Sequence, residues 1–131
     1  MEIEHPDENY KMRGFVDLIY RTDEGIVVRD WKSKSRFKNA SEKFKYARQL
    51  YLYAEYVKRQ YGVYPARMEF YMFRKNDIVN VPFRPNELQE AFNWANNTVS
   101  KIRHETAWEP VYDEWFCSWL CDQRETCPFK E

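Results

Sequence analysis

The sequence predicts an α/β domain with a mixed β-sheet of about four strands flanked by α-helices. Strand-like segments come in pairs, and a short polar turn joins the members of each pair. A long stretch of helical periodicity follows each pair. The order strand, strand, helix, strand, strand, helix is typical of a sheet packed against helices.

The first pair is a predicted β-hairpin formed by residues 15–20 and 26–31. Residues 21–25 join the two strands and end in Asp23-Glu24-Gly25, which is typical of a turn. If the hairpin is symmetric about Asp23-Glu24, the numbers of paired residues sum to 47. A bulge or a three-residue loop would shift this register by one.

This register places Asp17 opposite Asp30, with both side chains on one face of the hairpin. Lys32 lies two residues after Asp30, so strand alternation puts it on the same face. The other residues of that face are apolar: Phe15, Ile19, Ile26 and Val28. Two carboxylates in an apolar sheet are costly unless a cation lies between them, and Mg²⁺ or Mn²⁺ suits oxygen ligands. The alternative is an exposed hairpin with ordinary surface charges.

A helix follows, and Asn39 with Glu42 resembles a capping box at its start. We expect the helix to run to about Tyr61, with Gln49 and Tyr53 on one face because they are four residues apart. A purely structural role, with these two residues at the edge of the helix face that packs on the sheet, would explain the pair equally well. The predicted core positions are Phe44, Ala47, Tyr51, Ala54 and Val57.

Two further strands are predicted at residues 67–73 and 78–83, with a turn at 74–77. Pro85-Asn86 then begins a second long helix. Its predicted core positions recur at steps of four and three: Leu88, Phe92, Ala95, Val99 and Ile102.

Composition favours one compact domain, because the chain has 131 residues, of which 44% are hydrophobic and 18% aromatic. No apolar run approaches the length of a membrane span, and Met1 does not begin a signal-peptide pattern, so we expect a cytoplasmic protein. There is no Gly-rich phosphate loop, which argues against ATP use, and no Ser/His/Asp or Cys/His nucleophile set.

The net charge is zero, but it averages unlike regions. Residues 29–48 hold eight basic and two acidic residues, whereas residues 105–131 hold two basic and seven acidic ones. A basic segment with interleaved aromatic residues is typical of nucleic-acid contact, although a solvated loop and helix start has the same composition. The candidate DNA-binding residues are Lys34, Arg36, Lys38, Lys45 and Arg48.

Three motifs lie in order along the chain: Gly14-x-x-Asp17, Asp30-Trp31-Lys32 and Gln49-x-x-x-Tyr53. Their order, spacing and structural context resemble the PD-(D/E)XK nuclease superfamily. The likeness is greatest to its RecB-type branch, which includes phage exonucleases and CRISPR-associated nucleases. The resemblance covers nearly the whole chain and implies a restriction-endonuclease-like core.

The resemblance also implies roles for single residues. Asp17, Asp30 and the backbone carbonyl of Trp31 would hold Mg²⁺ or Mn²⁺. Lys32 would be the catalytic lysine, and Gln49 with Tyr53 would support the site and contact DNA.

Cys117, Cys121 and Cys127 form a cluster in the C-terminal segment, residues 108–131, of the same predicted domain. Three cysteines so close in a cytosolic chain suggest metal binding more than a disulfide. The resemblance implies a 4Fe-4S cluster, but the family spacing is one residue shorter in its first gap, and the fourth cysteine is absent from this chain. Free thiols, one disulfide with a leftover thiol, and zinc completed by His5 or His104 are the alternatives.

The family also places a helix before the first strand, so we expect this chain to be a fragment or a shortened form. The predicted function is a metal-dependent DNA nuclease, an exonuclease by resemblance, acting in recombination, repair or defence with recombination or CRISPR partner proteins. The alternatives are a non-catalytic DNA-binding or protein-interaction module with a nuclease fold and, third, an RNA-processing nuclease.

Overall fold

The computed structural model describes residues 1–4 and 10–129. Contacts along the chain divide it into two compact units, Met1–Val99 and Ser100–Glu131. The expectation of a single domain stays a prediction. The elements in chain order are β1 (Glu2–Glu4), β2 (Lys11–Arg13), β3 (Leu18–Thr22), β4 (Gly25–Lys32), α1 (Ala40–Tyr61), β5 (Arg67–Met72), β6 (Asp77–Val81), α2 (Pro85–His104) and α3 (Glu114–Trp119).

The main sheet has four strands in the order β3-β4-β5-β6. The central pair β4–β5 is parallel, and the two outer pairs are antiparallel. Because α1 connects the two parallel strands and packs over them, the centre of the sheet is a βαβ unit. The predicted mixed α/β fold is confirmed.

The predicted register of the first hairpin is also confirmed, because the pairs run from Leu18↔Arg29 to Thr22↔Gly25 and each sums to 47. The first strand of this hairpin, β3, begins at Leu18, however, and not at residue 15 as predicted. Phe15 is 85% exposed, so its expected place on the apolar face was wrong. Its backbone carbonyl accepts a hydrogen bond of 2.6 Å from the Tyr53 hydroxyl of the following helix, a partner outside the hairpin.

The start of α1 agrees with the sequence, since Asn39 Oδ1 accepts a hydrogen bond of 2.8 Å from the Glu42 N–H. The Glu42 carboxylate accepts from the backbone N–H of Lys38 at 2.6 Å, one residue before the cap. The helix ends at Gly62, whose φ of 78° suits glycine and whose N–H donates to the Lys58 carbonyl.

One face of α1 packs on the sheet and forms the core. Burial of each large apolar side chain contributes ~1.5–3 kcal/mol, which exceeds the ~1 kcal/mol of a helix cap, so packing is the main stabilisation of α1. The buried residues of α1 are Ala47, Leu50, Tyr51, Tyr53, Ala54 and Val57, and their sheet neighbours include Val28, Met68, Phe70 and Met72.

The second helix joins this core through Leu88 and Ala91 in its first half, and Ala95 in the next turn is also buried. Ile102 is 54% exposed, so its predicted core position was wrong: it lies beyond the turns that pack into the core. Among the described residues, no helix has the length and apolar character of a membrane span.

The opposite face of the sheet holds a charged cluster that the sequence analysis missed. Glu69 is fully buried, and its carboxylate lies 2.5 Å from Arg29 Nη2 and 3.0 Å from Arg67 Nε. Tyr20 donates a hydrogen bond of 2.9 Å to the same carboxylate. Two guanidinium groups thus compensate one buried charge.

Replacement of Asn39 by Ala should lower the free energy of unfolding by about 1 kcal/mol, because it removes the acceptor that caps α1. Chemical denaturation followed by circular dichroism measures this loss. Asn39→Ser is the matched control, since serine keeps an accepting oxygen. Equal losses in both variants would contradict the capping role.

Candidate active site

Strand β4 positions the first two candidate residues. Asp30 and Lys32 pair in the parallel ladder with Phe70 and Met72, which belong to the core beneath α1. Paired residues share a face of the sheet, so Asp30 and Lys32 also lie on the face that α1 covers. Alternation puts Arg29 and Trp31 on the other face.

Asp30 is a buried carboxylate, with 3% of its surface exposed. Lys32 Nζ forms an ion pair with Asp30 Oδ2 at 2.6 Å, and that oxygen has no further hydrogen-bond partner among the described residues. Burial raises the pKa of Asp30, and the Asp17 charge adds to this rise, whereas Lys32 opposes it. The two carboxylates are therefore close enough to interact.

Asp17 comes just before β3, on the exposed side of the site. Its Oδ2 accepts a hydrogen bond of 2.8 Å from the backbone N–H of Trp31. The N–H and C=O of one strand residue point to the same side, so the Trp31 carbonyl is directed towards the side of β4 on which Asp17 lies. Consistently, the carbonyl of the next residue, Lys32, points the other way and accepts from the Phe73 N–H on the β5 side.

Aromatic rings surround the Lys32 ammonium group. Nζ lies 4.8 Å from the centre of the Tyr46 ring and 5.5 Å from that of Phe70. It also donates a hydrogen bond of 3.4 Å to Gln49 Oε1. These contacts from α1 and β5 hold the cation beside Asp30. Tyr46 precedes Gln49 by one helical turn, a spacing that would have identified it in the sequence.

A chain of hydrogen bonds continues from Lys32 through α1. Gln49 accepts from Lys32 with its Oε1 and donates from its Nε2 to the Tyr53 hydroxyl, which donates to the Phe15 carbonyl. Burial raises the pKa of Tyr53, and the charges of Asp30 and Asp17 add to the rise, while the Gln49 hydrogen bond opposes it. The structure thus brings Asp17, Asp30, Lys32, Gln49 and Tyr53 together.

The five basic candidates lie in three places. Lys34 forms an ion pair with Glu42, and the backbone N–H of Lys38 bonds to the same carboxylate, so both belong to the helix start. Arg36 lies exposed in the preceding loop. Lys45 and Arg48 line a groove that also contains Gln49 and Tyr53.

The three cysteines line one cavity of about 90 Å³ within the second unit, and each is a free thiol. In the part of the chain that the structure describes, no three His, Cys, Asp or Glu side chains form a group that could hold a metal ion. The three thiols are included in this finding, so it gives the expected cluster no support. The expected 4Fe-4S cluster stays a prediction. His5 lies outside the described residues.

The donor set at Asp30 does fit a hard divalent cation. It offers the buried Asp30 carboxylate, whose polar contact among the described residues is the Lys32 ion pair, a second carboxylate from Asp17, and the Trp31 carbonyl on the same side of β4. Mg²⁺ takes one or two carboxylates and keeps several waters, so it does not need a third acidic residue.

A family model described as the PD-(D/E)XK nuclease superfamily matches residues 1–130. Searches among curated proteins and among solved structures give no match. Because the family model covers nearly the whole sequence, and its fold agrees with the four-stranded sheet and the helices beside it, the chain belongs to the PD-(D/E)XK nuclease superfamily.

Proposed function

We propose that this protein is a Mg²⁺- or Mn²⁺-dependent deoxyribonuclease of the RecB type, an exonuclease that hydrolyses phosphodiester bonds. The observation that carries the proposal is the contact of Lys32 with both Asp30 and Gln49 on the helix-covered face of the sheet. Members of this superfamily are usually metal-dependent nucleases. The Gln49-to-Tyr53 hydrogen bond supports the RecB-type assignment, because this pair carries the resemblance to that branch.

Asp17, Asp30 and the Trp31 carbonyl would hold the metal ion. When bound, the ion polarises the scissile phosphate and lowers the pKa of a water molecule. Burial and the neighbouring Asp17 charge raise the pKa of Asp30, so a cation between the two carboxylates would stabilise the ionised form of Asp30. Asp17 lies at the exposed edge, where a phosphate enters from solvent.

Lys32 stabilises the negative charge that develops on the phosphate, or orients the attacking water. Its side chain is 15% exposed and its ammonium group lies beside the Tyr46 ring, so its charge is less screened than that of a surface lysine. Gln49 and Tyr53 are positioning residues, because they act through Lys32 and through the Phe15 backbone.

Asp30→Asn should abolish metal-dependent cleavage of end-labelled DNA, because it removes a ligand charge while keeping the shape of the side chain. Lys32→Ala should lower the cleavage rate about 100-fold or more, as expected for the loss of one electrostatic stabiliser. The measurement is the rate at which each variant cuts the labelled DNA in the presence of Mg²⁺, of Mn²⁺, or of EDTA, which removes the metal.

Lys75→Ala, a change in the exposed turn between β5 and β6, is the control and should cut at the wild-type rate. Thermal unfolding of each variant shows that it is folded. Cleavage by Asp30→Asn at the wild-type rate would contradict the assignment of the site. Absence of cleavage in the wild type, together with intact DNA binding, would favour the non-catalytic DNA-binding module.

Tyr53→Phe should lower the cleavage rate at saturating DNA about tenfold, because it breaks the hydrogen-bond chain that positions Gln49 and Lys32. The measurement is kcat and KM on one oligonucleotide. Tyr61→Phe, which removes an exposed hydroxyl at the end of the same helix, should change neither constant. A rise in KM with unchanged kcat would show that Tyr53 contributes to binding and not to positioning.

A further inference from the structure

A groove within the first unit runs from the candidate site to α2, and we name it the Trp94 groove. It encloses about 370 Å³, which is in the range of pockets that hold a small organic molecule (~300–1,000 Å³). Its lining residues are Met1, Met12, Arg13, Gly14, Lys45, Arg48, Gln49, Leu52, Tyr53 and Trp94.

The groove is positively charged. Three of its lining residues are basic and none is acidic. Arg13 forms an exposed ion pair with Glu2, whereas Lys45 and Arg48 have no carboxylate partner among the described ion pairs. Two uncompensated cations on one helix face attract an anion such as a DNA phosphate.

Trp94 supplies a flat aromatic surface at the α2 end of the groove. Its side chain is 43% exposed, although it lies on a helix whose neighbouring positions Ala91 and Ala95 are buried. The Arg48 guanidinium lies 5.2 Å from the centre of the indole and 5.4 Å from that of the Phe44 ring. Arg48 contacts the Trp94 indole by a cation–π interaction. Much of the indole surface remains exposed and available for stacking.

The groove also borders the candidate site. Gln49 and Tyr53 line the groove and belong to the hydrogen-bond chain that reaches Lys32. Gly14 lets the Met1 side chain approach closely there, because a Cβ at this position would lie 3.2 Å from Met1 Cε. The groove therefore contains both the Trp94 ring and Gln49, the residue that is hydrogen-bonded to the proposed catalytic lysine.

We propose that the Trp94 groove binds an unpaired base of single-stranded DNA, with Trp94 as the stacking surface and Lys45 and Arg48 as phosphate contacts. The proposal rests on the proposed nuclease function and assigns its substrate class. A base inside a duplex is stacked on both faces and paired at its edge, so it cannot lie on the indole. An unpaired base can, and such stacking is tolerant of sequence.

The test is fluorescence anisotropy of the full chain with a labelled single-stranded oligonucleotide and with a blunt duplex of the same sequence, in EDTA so that nothing is cut. Trp94→Ala should weaken single-strand binding about tenfold and leave duplex binding unchanged. Trp94→Phe keeps an aromatic face and should retain most of the affinity. Lys45→Ala should weaken binding and reduce the slope of log Kd against log salt by about 1.

Tyr61→Ala is the matched control, because Tyr61 is 47% exposed in the same unit and does not line the groove. It should bind both DNAs like the wild type. Thermal unfolding identifies any variant that fails to fold. Equal losses on single strand and duplex, or no loss in Trp94→Ala and Lys45→Ala, would overturn the groove assignment.

Cleavage with Mg²⁺ separates this inference from the proposed function. If the wild type cuts DNA but the Trp94→Ala variant binds single strands as tightly as the wild type does, the nuclease assignment stands and the groove assignment is wrong. If the wild type never cuts, yet single-strand binding depends on Trp94, the groove assignment is supported and the nuclease proposal fails.

Discussion

The ion pair between Asp30 and Lys32 is the interaction on which the arrangement of the site depends. A carboxylate beneath a helix is costly without a counter-charge, and strand alternation allows only a residue two positions away to supply it from the same strand. Lys32 then needs neighbours that tolerate its charge. The Tyr46 and Phe70 rings and the Gln49 amide meet this need, and they tie β4 to α1 and β5.

Local features of the site could be predicted from the sequence because they depend on residues close along the chain. The Asp23-Glu24 turn determines the hairpin register, and Asn39 determines the start of α1, so both followed from turn and cap chemistry. Strand and helix periodicity then placed Asp30 with Lys32, and Gln49 with Tyr53. The fold class followed from the order of these elements.

Features that depend on long-range contacts could not be predicted. The Tyr53 hydroxyl on α1 donates to the Phe15 carbonyl, and residue spacing does not reveal such a contact between residues 38 positions apart. The short β1–β2 hairpin and α3 lack the length that makes periodicity visible. Burial of Glu69 between two arginines follows only once β4 and β5 are known to be parallel neighbours.

The charged clusters on the two faces of β4 also bear on folding errors. Arg29 faces Glu69 on one side of the sheet, and Asp30 faces Lys32 and α1 on the other. A slip of β4 by one residue would turn Asp30 towards Glu69 and place the Arg29 guanidinium in the apolar core. Misregistered pairing would therefore suffer carboxylate repulsion and a buried cation as well as lost apolar packing. Electrostatics thus discriminates against slipped forms of the central strand during folding.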